Sequence, residues 1–351
     1  MEFKELIISF ASLMSITGYE SYDKDKLNAL VEGIFDETFT DAVGNRFFVR
    51  KCGRENAPKI LIDAHMDEIG MIVTEIKEDG FLKVTNIGGV DTRILQASDV
   101  VVYGKEKIFG VVGSTPPHLQ KPEDSKNLRE IGELLIDTGY TKETISELVR
   151  LGTPVGFAPK YSELANGKLA GKGFDDKACA ACAVEGIKRA AMEELAGDVY
   201  FMLSSREETG ALVGGAAPGS FFIDPDYALV IDVNLGRTPD TPKTETVVMG
   251  GGVSLTFCPV TDRRLTKMTA ELADKNEIKW QISVSGRTTG TNTPAINLTG
   301  EGIPCVDVGL PLKSMHTSAE VLDMADAESA AELIKHFVCS KEIADAFGRA
   351  K

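Results

Sequence analysis

The chain has 351 residues, of which 43% are hydrophobic and 26% charged, the proportions of an ordinary globular protein long enough to form one large domain or two. Its formal net charge of -15 argues against non-specific nucleic-acid binding, which needs basic surface, but is compatible with divalent cations. No apolar run approaches the roughly 20 residues that span a bilayer, so no membrane role is expected.

In chain order, residues 1–6 (MEFKEL) lack the basic start, apolar core and small-residue cleavage site of a secretory signal, which points to the cytoplasm. Residues 4–34 show helical spacing interrupted at Ser15–Glu20, a helix–loop–helix with a Gly turn. Short strands follow near residues 37–41 and 46–51, with Gly44-Asn45 between them. Residues 59–64 read as a buried strand that ends in His65-Met66-Asp67-Glu68. On an extended backbone His65 and Asp67 share a face, so Asp67 is placed to take the second ring proton of a metal-bound imidazole. A structural histidine at a strand end is the competing reading.

From about residue 70 to 159 the texture changes to short β-type runs at 71–76, 81–85, 100–103 and 108–112. This suggests a small β-rich domain (70–159) inserted into a larger α/β one (1–69 and 160–351). Within the insert, residues 122–127 read as a polar, mobile loop, and His118 as a structural residue.

The α/β texture resumes with Gly171–Lys177 leading into a helix over 178–191. Asp175 and Asp176 start that helix, where carboxylates are favourable as caps or as close partners of a buried metal. Cys179 and Cys182 have the spacing of a redox or zinc pair, but their small-residue surroundings favour helix packing. The six cysteines as a set suggest no disulfide framework. An apolar strand over 199–203 then delivers Glu207-Glu208-Thr209-Gly210 to a sheet edge. Adjacent side chains of an extended segment diverge, so one carboxylate can hold a metal while the other handles a proton; a solvated acidic pair is the alternative.

Residues 211–222 form a Gly/Ala-rich turn and helix, and 227–231 a buried strand closed by Asp232, whose carboxylate needs a cation or hydrogen-bond donors. Gly250–Gly252 implies close backbone approach but lacks the Lys-Ser/Thr of a phosphate loop. A helix over 261–275, a strand over 279–285, a polar loop over 286–293 and a last core strand over 305–310 lead to His316. One amphipathic helix closes the chain over 325–347, with His336 on its surface.

His65, Asp175, Glu208, Asp232 and His316 therefore each end an apolar strand or begin a helix, the placement of ligands gathered at one sheet edge. Two histidines with three carboxylates suit Zn, Co or Mn. Five ligands exceed one open catalytic site and suit two metals sharing a carboxylate.

The segments His65–Gly70, Phe174–Lys177, Glu207–Gly210, Val230–Val233 and Met315–Ser318 resemble, in order and spacing, the motifs of the forty-second metallopeptidase family, dinuclear aminopeptidases that include glutamyl and deblocking enzymes. The resemblance runs nearly end to end, through Thr17–Glu20, Gly44-Asn45, Gly88-Gly89, Pro116–Leu119 and Gly290-Thr291. It implies a mixed-sheet α/β/α, phosphorylase/hydrolase-like catalytic domain with an inserted β-barrel-like domain. It implies two divalent ions per subunit, bridged by Asp175, with His65 and Asp232 completing one site and Glu208 and His316 the other. Glu207 would be the general base, Asp67 would orient His65, and the peptide between the two aspartates is often cis in the family. The implied activity is removal of N-terminal residues from short peptides by a metal-activated water, in a homo-oligomer between a dimer and a tetrahedral dodecamer.

Four residues depart from the family pattern: Arg206, where Gln is common, Asn292, where Asp is, and Lys177 and Lys313, where Arg is. None is an implied ligand. Positive charge from Arg206 or Arg287 would favour an acidic first residue. Two rival readings remain: a glycosidase, since some relatives carry an endoglucanase label, and a non-catalytic metal-binding scaffold.

Overall fold

The computed structural model describes residues 1–114, 118, 129–210 and 214–349. The loop expected over 122–127 and residues 211–213 of the Gly/Ala-rich turn lie outside them. No helix among the described residues is long and apolar enough to cross a membrane.

The chain opens with α1 (Phe3–Ala11) and α2 (Lys24–Leu30), then a hairpin of β1 (Glu37–Thr40) and β2 (Arg46–Arg50), whose turn is held by the Asp41 carboxylate accepting from the N–H groups of residues 43, 44 and 45. β3 (Lys59–His65) is apolar on both faces and is covered on both, as expected of a central strand in a layered α/β fold. Each of its fully buried Ile and Leu side chains contributes roughly 1.5–3 kcal/mol of hydrophobic stabilisation.

β4 (Gly70–Ile76), β5 (Leu82–Ile87), β6 (Asp99–Tyr103), β7 (Lys107–Val112), β8 (Leu135–Asp137) and β9 (Pro154–Phe157) close into a barrel in the order β4-β5-β8-β7-β6-β9, with the short helices α3 (Thr92–Leu95) and α4 (Lys142–Leu148) between them. The barrel has its own core, including Met71, Val84, Val100, Val102, Ile136 and Val155. β4 to β7 coincide with the four short β-type runs read from the sequence, whereas the three-residue β8 and the Pro- and Gly-containing β9 do not stand out as runs.

Beyond the barrel come β10 (Ser162–Leu164), β11 (Lys168–Gly171), α5 (Phe174–Arg189), β12 (Asp198–Ser204), α6 (Ala216–Ile223), β13 (Tyr227–Leu235), β14 (Val253–Phe257), α7 (Arg263–Lys275), β15 (Trp280–Val284), α8 (Thr293–Asn297), β16 (Cys305–Lys313), β17 (Glu320–Asp323), α9 (Met324–Cys339) and α10 (Lys341–Phe347). They complete an 11-stranded mixed sheet in the order β1-β2-β12-β3-β13-β16-β17-β11-β10, with β14 on β16 and β15 on β14. β12, β3, β13 and β16 run parallel at its centre. Helices α1, α5, α7 and α9 cover one face through the main core and α6 and α8 the other through a smaller one, giving the α/β/α layering.

The structure departs from the sequence reading at several elements. The closing helix is two helices, because Ser340 leaves the helical region (ψ 97) and its hydroxyl caps the N–H of Ile343. β13 and β16 run several residues past their apolar cores, since pairing with each other satisfies their main chains after the apolar pattern stops. β14 follows the glycines directly. There Gly252 allows the Lys279 carbonyl an approach that a Cβ would block at 1.9 Å. Cys179 and Cys182 are buried in α5 and pack in the main core.

Candidate dinuclear metal centre

Parallel pairing places Ser204 of β12 level with His65 of β3, and Val230 of β13 level with Asp63. The carboxyl ends of these strands thus deliver His65, Glu207-Glu208 and Asp232 to one edge, where open α/β sheets build their sites. The start of α5 and the loop after β16 reach the same place. His65, Asp175, Asp176 and Asp232 are buried, and His316 is half-buried.

Asp175 lies at the middle. Its Oδ1 is 3.2 Å from His65 Nε2 and its Oδ2 is 3.2 Å from His316 Nε2. His316 Nε2 is also 3.2 Å from Glu208 Oε2, and His65 Nε2 is 3.8 Å from Asp232 Oδ1. The two oxygens of one carboxylate therefore face two different imidazoles, each with a further carboxylate beside it. The peptide between Asp175 and Asp176 is cis.

This donor set fits cations. The carbonyl of Asp67 lies 2.9 Å from His65 Nδ1; with that nitrogen donating, Nε2 of a neutral ring presents a lone pair to a carboxylate oxygen, an arrangement that needs an extra proton or a cation between the two. Asp175, His65 and Glu208 offer atoms within 4.8 Å of one another, and so do His65, Asp176 and Asp232. Asp176 Oδ1 is buried without a partner, while its Oδ2 accepts from the N–H of His65. Burial pushes Asp232 and Asp176 well above the carboxylate range, and repulsion from neighbouring aspartates adds to it. Burial opposes the ionised form of Asp175 too, yet hydrogen bonds to the two imidazoles hold it below the usual range. A site with this much buried negative charge gains most from positive ions.

Glu207 is held apart from these contacts. It begins a 3-10 turn, Glu207–Thr209, entered through Arg206 in the left-handed region (φ 64). The Asp67 carboxylate caps that turn: Oδ1 accepts from Glu207 N–H at 2.9 Å and Oδ2 from Glu208 N–H at 3.1 Å. Thr17 donates to the same Oδ2, and Glu20 accepts from the N–H of Arg206. Asp67 thus meets His65 through its carbonyl, with its carboxyl 3.6 Å from Nδ1, and spends its carboxylate on the two glutamates.

Sequence reasoning missed Glu320. Its Oε2 accepts from the N–H groups of Phe174 (2.7 Å) and Asp175 (3.3 Å), and its Oε1 from that of His316 (3.1 Å), so one buried carboxylate ties both ligand loops together. An acid four residues after His316, at the head of an apolar strand, was the available signal. The barrel also reaches the site: a Cβ on Gly89 would stand 2.9 Å from His316 Nδ1. His118 is exposed and does not line the cleft, and His336 is half-buried on α9 near Glu332.

A cleft of about 1140 Å3 opens over the cluster. Arg237 and Lys243 line it, whereas Arg206 and Arg287 do not.

The profile of the M42 glutamyl aminopeptidase family matches residues 44–333. The chain is 30% identical to the lysyl aminopeptidase of Pyrococcus furiosus over 94% of its length and 95% of that protein. Among solved structures it is similar to the aminopeptidase APDkam598 of the archaeon Desulfurococcus kamchatkensis (TM-score 0.89, 30% identity, 99% and 98% of the two chains). It is also similar to the TET1 peptidase of Pyrococcus horikoshii, which can assemble into a tetrahedron or a large octahedral shell (TM-score 0.84, 30% identity, 96% and 99%). A Thermotoga maritima structure bearing the name endoglucanase is a further neighbour (TM-score 0.78, 26% identity, 99% of each chain).

Proposed function

The chain belongs to the M42 glutamyl aminopeptidase family, metal-dependent peptide hydrolases, and from that premise we propose that this edge of the sheet removes single residues from the amino termini of short peptides. His65, Asp175, Glu208, Asp232 and His316 would hold two divalent cations, Zn or Co with Mn as a further candidate, and Asp175 would lie between them. The observation that carries this reading is the single carboxylate whose two oxygens each face a different histidine. When bound, the ions supply Lewis acidity toward the scissile carbonyl and toward water.

The protein's own part is positioning and proton transfer. Glu207, raised to about 7 by burial and by neighbouring carboxylates, can take a proton from the attacking water and return it to the leaving amine. Asp67 fixes the main chain of Glu207 and Glu208 with one carboxylate, and its carbonyl sets the ring of His65. Arg237 and Lys243 in the cleft favour an acidic first residue, and equal turnover of Glu- and Leu-p-nitroanilides would remove that preference. The homo-oligomer is a further part of the proposal. The barrel would carry subunit contacts, with twelve subunits as the tetrahedral form.

The test is hydrolysis of an aminoacyl-p-nitroanilide panel by metal-stripped protein, with Zn, Co or Mn restored, beside Glu207→Gln. Cleavage that returns with metal and falls about 10²–10⁴-fold in the variant is expected. The glycosidase reading requires no metal and a carboxylate pair alone, so loss of activity on chelation separates the two. Metal binding without any cleavage would favour the scaffold.

A further inference from the structure

A peptide whose first residue reacts at the Asp175 cluster must lay the rest of its chain in the same cleft, and one wall of that cleft is β15. Among the described residues β15 is hydrogen-bonded along its length only to β14, so it is an open edge of the sheet. In a parallel ladder, alternate residues direct their N–H and C=O groups away from the neighbouring strand. On β15 those groups face outward with no ladder partner.

Five consecutive residues, Gln281 to Ser285, line the cleft. Successive side chains of a strand point to opposite faces, so five in a row border one cavity when the cavity meets the strand edge-on. Ile282 and Val284 share a face and are 62% and 71% exposed. Gln281 is engaged by the main chain of Val248 and Gly252, and the hydroxyl of Ser283 accepts from Asn234, two residues beyond Asp232 on β13. The edge is thus fixed relative to the strand that carries Asp232. At about 1140 Å3 the cleft also exceeds the roughly 300–1,000 Å3 of a drug-sized site.

We propose that the open edge of β15 is a strand-addition site for the extended main chain of the peptide substrate downstream of the bond being cut. This rests on the aminopeptidase reading of the cluster. Main-chain pairing supplies affinity without regard to sequence, while Ile282 and Val284 meet alternate side chains. The protein then handles peptides of several residues better than single-residue derivatives, and tolerates varied sequence beyond the first position.

The experiment uses metal-loaded protein at fixed pH. Its substrates are the p-nitroanilide of the preferred first residue, peptides extending that residue by one to five alanines, and the longest peptide N-methylated at one downstream nitrogen at a time. The expected result is a kcat/KM that rises at least about tenfold from the dipeptide to the longer peptides, the worth of one or two net hydrogen bonds. N-methylation should remove that gain at alternate nitrogens only. A flat dependence on length with the anilide still cleaved overturns the proposal, as it would if a second copy of the chain covered the edge. A gain that survives every N-methylation also overturns it, because side-chain contact alone would then be responsible. Failure to cleave the anilide or any peptide would instead remove the aminopeptidase reading, and this proposal with it.

Discussion

Glu207 carries the clearest pH signature of any residue in the cluster. Burial lifts it to about 7; His65 opposes that, and Glu208, Asp67 and Asp175 reinforce it. A general base works ionised, so kcat/KM is expected to fall as pH drops through its pKa. Bound cations favour the carboxylate, which puts the midpoint of that acid limb at or below about 7 in a pH–rate profile. The metal-stripped protein gives the opposite trend in stability. Burial raises Asp176, Asp232, Glu207 and Glu320, the last to about 8. A raised carboxyl contributes stability below its unfolded pKa and loses it as pH rises through the folded one. The Tm of metal-stripped protein is therefore expected to decline between pH about 5 and 8, and added cations to reverse the decline; a Tm that rises over that window would contradict the charge balance described. Glu320→Ala frees the N–H groups of Phe174, Asp175 and His316, so a fall of about 10–100-fold in metal affinity is expected by titration calorimetry.

Among the elements, the loop after β5 joins the barrel to the chemistry. Gly88 takes φ 73, and Gly89 has no room for a Cβ beside His316. Gly89→Ala should displace the ring and lower kcat/KM about 10–100-fold. Thermal unfolding should move little, because Gly89 is exposed at the rim of the barrel rather than packed inside it. The Thr17–Glu20 segment, between α1 and α2, supports the Glu207 turn through Thr17 and Glu20, which gives a physical reason for a motif far from the ligands in sequence.

For the whole molecule, the outer face of β7 exposes Phe109 (57%) and the loop before β9 exposes Leu151 (66%), apolar surface on the barrel that suits contact between copies. Light scattering is expected to give a multiple of the 37.8 kDa chain, twelvefold for the tetrahedral form. Phe109→Glu combined with Leu151→Glu should lower that mass. An unchanged mass would place the contacts elsewhere, with Phe221 and Phe222 on α6 the next exposed apolar pair.

The sequence by itself determined the central strands and the inserted β texture, and it named the five ligand candidates. Each is local: a continuous apolar run marks a strand covered on both faces, and an acid or histidine at its end is costly to bury without a partner. It could not determine Glu320, whose value comes from reaching main-chain groups on two loops, nor the carbonyl route from Asp67 to His65, since a carboxylate and a carbonyl of one residue share one position in the chain. It also placed the cleft's positive charge on Arg206 and Arg287, because closeness along the chain to a motif stands in poorly for closeness in space. Only the tertiary structure put Arg237 and Lys243 in that wall, set Gly89 against His316, and left β15 as an open edge on the cleft that Asp232 also lines. Those relations join segments far apart in sequence, and folding alone brings them within a few ångströms.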